Sequence, residues 1–229
     1  MPELHIGTSG WSFPEWKSTF YAGVPQRRWL EHYASVFPTV EVNMTFRRAM
    51  TAGVAAKWRE AVGDGFRFAV KAHQRLTHRT RLGDPGDTVP FFAGTARLLG
   101  RALGPILVQT PPNLPRDDGL LRDFLAVWPD DLDAAFEFRH ASWFADEVYA
   151  RLADAGAALV AAETAESAAV LVPTAPFVYV RLRADEYPDD ALDVWAKRLA
   201  ALEAARAWVY FKHEATSTDR ALALAARLS

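Results

Sequence analysis

The sequence has no cysteine. Disulfide frameworks, thiolate nucleophiles and zinc–thiolate sites are excluded, and a reducing, cytoplasmic setting is the expectation. It has almost no net charge: 26 Lys and Arg against 28 Asp and Glu leave −2. That removes the global basic footprint of a nucleic-acid binder and any acidic tail. No apolar run approaches the roughly 18 residues that a bilayer span needs, so no membrane partner is expected. Met1-Pro2-Glu3-Leu4-His5-Ile6-Gly7 lacks the basic region and apolar run of a signal peptide. No His-x-His or His-Glu-x-x-His spacing occurs.

What is present is a large apolar complement: 50% of the 229 residues are hydrophobic. That is ample for a core and too much for a disordered chain. No linker or compositional break divides residues 1–229, so one domain is expected.

Ala134 to His140 sets the grammar of the chain. Phe136 and Phe138 point one way, and Ala135, Glu137 and Arg139 the other, as on a strand. An amphipathic stretch, Trp143 to Ala155, follows. The same unit recurs. Strands are read at Leu4–Ser9, Thr39–Asn43, Phe66–Lys71, Pro105–Gln109, Ala134–His140, Ala157–Glu163, Phe177–Arg183 and Trp208–Lys212. Helices are read at Gln26–Phe37, Thr51–Val62, Thr88–Leu103, Asp117–Val127, Trp143–Ala155, Asp189–Arg206 and Thr216–Leu228. Between strands six and seven only Ala165–Val170 offers a short helix. The pattern predicts a single (β/α)8 TIM-type barrel with an irregular unit between strands 6 and 7. A doubly wound open sheet is the competitor.

With apolar alternates facing the helices, the last inward side chains are Ser9, Asn43, Lys71, Gln109, Arg139, Glu163, Arg181 and Lys212. One layer below lie Gly7, Glu41, Ala69, Leu107, Glu137, Ala161, Tyr179 and Tyr210. Four cations and three carboxylates thus converge at the end where such barrels carry their sites. One reading is a pocket for a small anionic molecule bearing phosphate or carboxylate. Arg139, Arg181 and Lys212 would hold the anion, and Glu41 or Glu137 would be general base or acid. Lys71 would be an electrostatic or proton-transfer partner, or would form a Schiff base. Trp11 and His78 would shape a lid, and Asn43, Gln109, His140 and Glu163 would complete the binding ring. The opposing reading is a self-satisfied plug, pairing Glu137 with Lys71 and Glu41 with Arg139.

Other features bear on ligands. Arg183, Lys212-His213 and Thr216-Ser217-Thr218 stand where this fold cradles phosphate. His73, His140 and His213, with Glu41, Glu137 and Glu163, are the candidate metal ligands. The four nearby cations oppose a metal, and neither metal nor cofactor is expected. The basic loop His73–Arg81 and the aromatic loop with Trp11, Phe13 and Trp16 raise a nucleic-acid alternative. A binding protein without chemistry is the third. Oligomeric state is left open.

Six stretches resemble one family. They are Ile6-Gly7-Thr8-Ser9-Gly10-Trp11-Ser12 with Trp16, Phe20 and Tyr21; Val40-Glu41-Val42-Asn43-Met44-Thr45-Phe46; Phe68-Ala69-Val70-Lys71-Ala72 with Thr77-His78; Leu103-Gly104-Pro105-Ile106-Leu107-Val108-Gln109 with Pro111-Pro112; Glu137-Phe138-Arg139-His140 with Ser142-Trp143; and Tyr179-Val180-Arg181. Together the sequence resembles the YecE-like family, known as domain of unknown function 72. The resemblance implies a TIM-barrel-like fold and supplies no established activity. The chain departs from the family pattern at Arg47, Arg183-Ala184 and Phe211-Lys212-His213-Glu214, which makes its strand seven and eight end more basic.

Overall fold

The computed structural model describes residues 1–212 and 215–229. Eight parallel strands form its centre: β1 Glu3–Thr8, β2 Thr39–Val42, β3 Arg67–Lys71, β4 Leu103–Gln109, β5 Ala134–Glu137, β6 Ala158–Thr164, β7 Phe177–Arg183 and β8 Arg206–Phe211. Seven α-helices are described between and after them: α1 Trp29–Val36, α2 Ala52–Ala61, α3 Pro85–Ala96, α4 Asp118–Ala126, α5 Asp146–Asp154, α6 Asp189–Ala200 and α7 Ser217–Ala226.

The strand order β1-β8-β7-β6-β5-β4-β3-β2 wraps the sheet into a nearly closed barrel. The open-sheet alternative does not occur. At the seam between β1 and β2, the Tyr33 hydroxyl of α1 replaces a ladder. It accepts from the Thr8 N–H at 2.9 Å and lies 3.2 Å from the Thr39 carbonyl oxygen. Gly7 permits this approach, since a Cβ there would fall 2.2 Å from the Thr39 oxygen.

Local chemistry explains the elements. Thr51 caps α2 by accepting from the Val54 N–H, and Asp117 caps α4 through the Leu120 N–H. Such a cap contributes about 1 kcal/mol. In α6, Leu192, Trp195, Ala196 and Leu199 recur at helical spacing and are buried. Asp189 and Asp190 stand in its first turn and Lys197 and Arg198 in its last, as the helix dipole favours.

Between β6 and β7 no helix forms, and the short helix at Ala165–Val170 is corrected to irregular chain. Thr174 covers the gap: its Oγ1 accepts from the Leu159 N–H at 2.8 Å and donates to the Ala157 carbonyl at 2.7 Å. The fifth strand ends at Glu137, not His140. His140 instead starts a 3-10 turn at 141–143, its Nδ1 accepting from the Ser142 N–H.

Inside the barrel, small residues face large ones. Ala69, Ala135 and Ala158 pack with Tyr179, Trp208 and Tyr210. This is dense interior packing, not a pore. It also corrects the phase of β6. Ala158, Val160 and Ala162 point inward, so Ala161 belongs to the outer core and Glu163 faces α6. The alanine-rich strand gives hydrophobicity no contrast with which to choose a face, and its small residues pack beside Tyr179 and Tyr210.

Candidate active site

At the C-terminal strand ends, Arg181 of β7 crosses the barrel axis between two carboxylates. Its Nη2 donates to Glu41 Oε1 at 2.7 Å and its Nη1 to Glu137 Oε2 at 2.5 Å. Arg181 is 2% exposed, Glu41 0% and Glu137 1%. Glu41 also accepts from Ser9 Oγ at 2.8 Å, Asn43 Nδ2 at 3.2 Å and the Tyr179 hydroxyl at 2.9 Å. Glu137 also accepts from Gln109 Nε2 at 2.8 Å and pairs closely with Arg139 Nε.

Burial alone would raise both carboxyl pKa values. For Glu41, the Arg181 charge and hydrogen bonds from Arg181, Ser9 and Tyr179 outweigh it and hold the group ionised. For Glu137, burial is outweighed by Arg181 and Arg139, and the pKa falls to about 2. Burial disfavours the Arg181 charge, but Glu137 and Glu41 keep it fully protonated. Every carboxylate oxygen is engaged. Glu41 and Glu137 thus anchor Arg181, and to serve as general base or acid either would have to give up one of these bonds. A buried charge must be paired, and these are.

Lys71 is placed differently. Its Nζ donates to Gln109 Oε1 at 2.6 Å and lies 4.3 Å from the centre of the Phe46 ring. Among the described residues no carboxylate is within ion-pair distance of it. The Phe46 face favours the ammonium form by about 0.5–2 kcal/mol. Burial, then the Arg181 charge, work against it, and the pKa is pushed down to about 8. Gln109 links the two systems, since its other amide atom is fixed on Glu137.

Above this layer opens a cavity of about 670 Å³, within the usual size of small-molecule sites. Lys71, Gln109, Asn43, Arg139, Arg181 and Arg183 line its polar side, and Trp11, Phe13, Met44, Val54 and Trp58 its apolar side. Trp11 meets Trp58 edge to face at 5.1 Å. The Arg139 side chain is 34% exposed and held on one side by Glu137. Arg183 is half-buried, and no ion pair or hydrogen bond engages its guanidinium among the described residues. Burial, then Arg181, lower its pKa.

The structure thus brings Glu41, Asn43, Lys71, Gln109, Glu137, Arg139 and Arg181 to one end, as their strand phase predicts, and Trp11 of the aromatic loop joins them in the cavity wall. It separates others. Glu163 accepts from Trp195 Nε1 at 3.0 Å on the outside of the barrel. Lys212 turns to Asp185 at 3.2 Å, beside a separate hollow lined by Tyr187, Ser217 and Arg220. The Ser217 hydroxyl donates to the Lys212 carbonyl, so it is not an open anion donor. His78 stands just outside the cavity wall, bonded to Thr77 and edge-on to Phe46 at 4.9 Å. Burial, then Lys71 and Arg139, lower its pKa. His140 stays in its turn. The plug pairings are also revised: Glu41 pairs with Arg181, and Lys71 with neither carboxylate. The sequence pattern places Arg183 only in a phosphate cradle with Lys212; the structure puts it in the cavity wall. Val54 and Trp58 come from α2, and strand alternation gave no signal for them.

The remaining features contribute less to a site. His73 Nδ1 accepts from the Arg75 N–H within its own turn, and His213 lies outside the described residues. No cluster of metal-ligating side chains occurs among the described residues. In the basic loop, Leu76 and Thr77 are buried and Arg81 is tied to Asn113. In the aromatic loop, Phe13 and Trp16 pack on each other at 4.9 Å. Among the described residues no helix is long and apolar enough to cross a membrane.

Fold and site define an α/β barrel protein with a charged, partly apolar cavity at the C-terminal mouth. Residues 5–229 match the family described as "Protein of unknown function DUF72", and the chain belongs to that family. It is 32% identical to "UPF0759 protein YecE" of Escherichia coli K12 over 143 residues, 62% of this chain and 50% of that protein. It is 27% identical to "UPF0759 protein YunF" of Bacillus subtilis 168 over 154 residues, 64% of this chain and 54% of that protein. The chain spans about half the length of these relatives. Two solved DUF72 proteins share the fold. One, from Thermotoga maritima, has a TM-score of 0.79 at 21% identity, covering 99% of this chain and 97% of that one. The other, from Enterococcus faecalis, has a TM-score of 0.78 at 19% identity, covering 100% and 98%.

Proposed function

We propose that this protein is an enzyme that binds a small anionic metabolite, bearing phosphate or carboxylate, in the mouth cavity and acts on it through Lys71. One observation carries this reading. The deep charges are paired among themselves, while Arg183, Arg139 and Lys71 face the cavity with donors to spare. Cations crowded in one low-dielectric place, with both available carboxylates already engaged, repel one another until an anion arrives. The Trp11, Trp58 and Phe13 wall would take an apolar or aromatic part of the same molecule. A chain without cysteine suits the cytoplasm, where this reading places it.

The test is equilibrium binding of a panel of phosphate- and carboxylate-bearing metabolites by titration calorimetry, at matched ionic strength. The reading expects at least one saturable ligand whose affinity falls about 10-fold or more in Arg183→Ala, the loss typical of a charge-assisted hydrogen bond. A panel that binds nowhere would refute it.

A further inference from the structure

We propose that Lys71 forms an imine with an aldehyde or ketone that carries a phosphate or carboxylate group. This rests on the anion-pocket reading and names its substrate class.

The partner of Lys71 is the first reason. Its Nζ hydrogen bond goes to a neutral acceptor, Gln109 Oε1, and not to a carboxylate. A lysine kept only to balance charge would pair directly with Glu41 or Glu137, which lie in the same ring. Instead both are engaged by Arg181.

The second reason is the orientation of Gln109. Its Nε2 is fixed on Glu137, so its Oε1 must face Nζ. That acceptor occupies one N–H and leaves the lone pair of a neutral amine free for the cavity. Burial beside Arg181 raises the share of neutral amine above that of an ordinary lysine.

The third reason is the lack of a competitor. Glu41 and Glu137 have every oxygen engaged, and Ser9 donates to Glu41. No histidine lines the cavity among the described residues. The amine is the lining group best prepared to attack. Arg139 and Arg183 line the same space, so an anionic tail could be held while the carbonyl carbon meets Nζ.

The step balances without a further reagent. The Nζ lone pair forms a C–N bond to the carbonyl carbon, and the C=O π pair moves to oxygen, which takes a proton from the amine through water. The nitrogen lone pair then expels that oxygen, which takes a second proton from solvent and leaves as water, giving the protonated imine; loss of its remaining N–H proton to solvent returns that proton. The product is the imine. When it is protonated, the anion on Arg139 and Arg183 offsets its charge.

The experiment incubates the protein at about pH 7.5 with pyridoxal 5′-phosphate, a phosphate-bearing aldehyde. Borohydride reduction fixes adducts, and peptide mass spectrometry locates them. The other lysines, Lys17, Lys57, Lys197 and Lys212, are internal controls. Lys71 should be labelled at least about ten-fold faster than any of them, because its amine is neutral far more often. Pyridoxal without phosphate should lose most of that preference, and inorganic phosphate should slow labelling. Lys71→Arg keeps the charge and should lose the fast adduct while melting close to wild type. Inorganic phosphate that protects the fold against heat, with Lys71 labelled no faster than the rest, would overturn the imine and leave the anion pocket standing. Indiscriminate labelling with no phosphate effect on labelling or melting would overturn both. A fast adduct that persists in Lys71→Arg would place the reactive amine elsewhere and also overturn the inference.

Discussion

Arg181 and Glu41 meet 2.7 Å apart, Nη2 to Oε1, across 140 residues of chain, and neither side chain is more than 2% exposed. Glu137 takes the other arm of the same guanidinium. One cation thus satisfies two carboxylates from opposite sides of the barrel. The pairing divides the mouth into a closed layer, which holds the structure, and an open layer above it, which faces the cavity.

The division predicts unequal mutants. Arg181→Ala strands two buried carboxylates and should cost about 3–5 kcal/mol of stability. Arg183→Ala removes no pairing and relieves cation crowding, so it should change stability by less than about 1 kcal/mol. Urea unfolding of both variants checks this. Equal losses would show that Arg183 belongs to the closed layer.

Acid should also act on the closed layer. The Glu137 pKa lies at about 2 in the fold, against 4.5 for the free group. Its contribution is therefore complete above about pH 4.5 and is lost as pH falls towards 2, where the unfolded chain binds the extra proton. Unfolding free energy of wild type should fall across that window. Glu137→Gln should fall less steeply from a lower start, and a parallel fall would contradict the assignment.

Lys71 gives the same sign at high pH, since its pKa is lowered too. Its pKa is lowered from 10.5 to about 8, so between those values the unfolded chain binds more protons than the fold. Stability contributed at this site should therefore rise from pH 8 to 10.5. Buried tyrosines titrate in the same region, so the quantity to follow is wild type minus Lys71→Met. That difference should move in favour of wild type as pH rises. A difference that does not change with pH would mean an ordinary lysine.

The seam makes a separate prediction. Tyr33→Phe leaves the Thr8 N–H without its acceptor in a buried place, which should cost about 1–3 kcal/mol. Amide hydrogen exchange should show Thr8 losing protection before the strands across the barrel. Unchanged protection there would mean that the hydroxyl is not what joins β1 to β2.

Much of this architecture was legible in the sequence. Alternation in strands such as Phe177–Arg183 and Ala134–Glu137 showed both the strand and its inward face, because large apolar and charged residues contrast. Where contrast failed, so did the reading. In Ala158–Thr164 the small residues fit either side, and alternation alone puts Glu163 inside, whereas its bond to Trp195 lies outside. Lys212 followed its strand phase only to the strand end, beyond which Asp185 sets its direction. The saturation of Glu41 and Glu137 is also hidden, since it depends on Tyr179 of β7, Gln109 of β4 and Ser9 just past β1 arriving together. Trp58 enters the cavity from a helix, beyond the reach of a strand rule.

The most direct test of the central claim, that the mouth is an anion site built on a finished scaffold, is a thermal melt of wild type and Arg183→Ala with and without inorganic phosphate at matched ionic strength. Wild type should be stabilised by mass action, by about 2.7 kcal/mol when phosphate reaches 100 times its dissociation constant. Without phosphate Arg183→Ala should melt like unliganded wild type, and at the same phosphate concentration its affinity, weakened about 10-fold or more, should leave it about half of the wild-type stabilisation or less. Two melts unmoved by phosphate, with Arg183→Ala itself strongly destabilised, would show that the cations at the mouth are structural and would contradict the account.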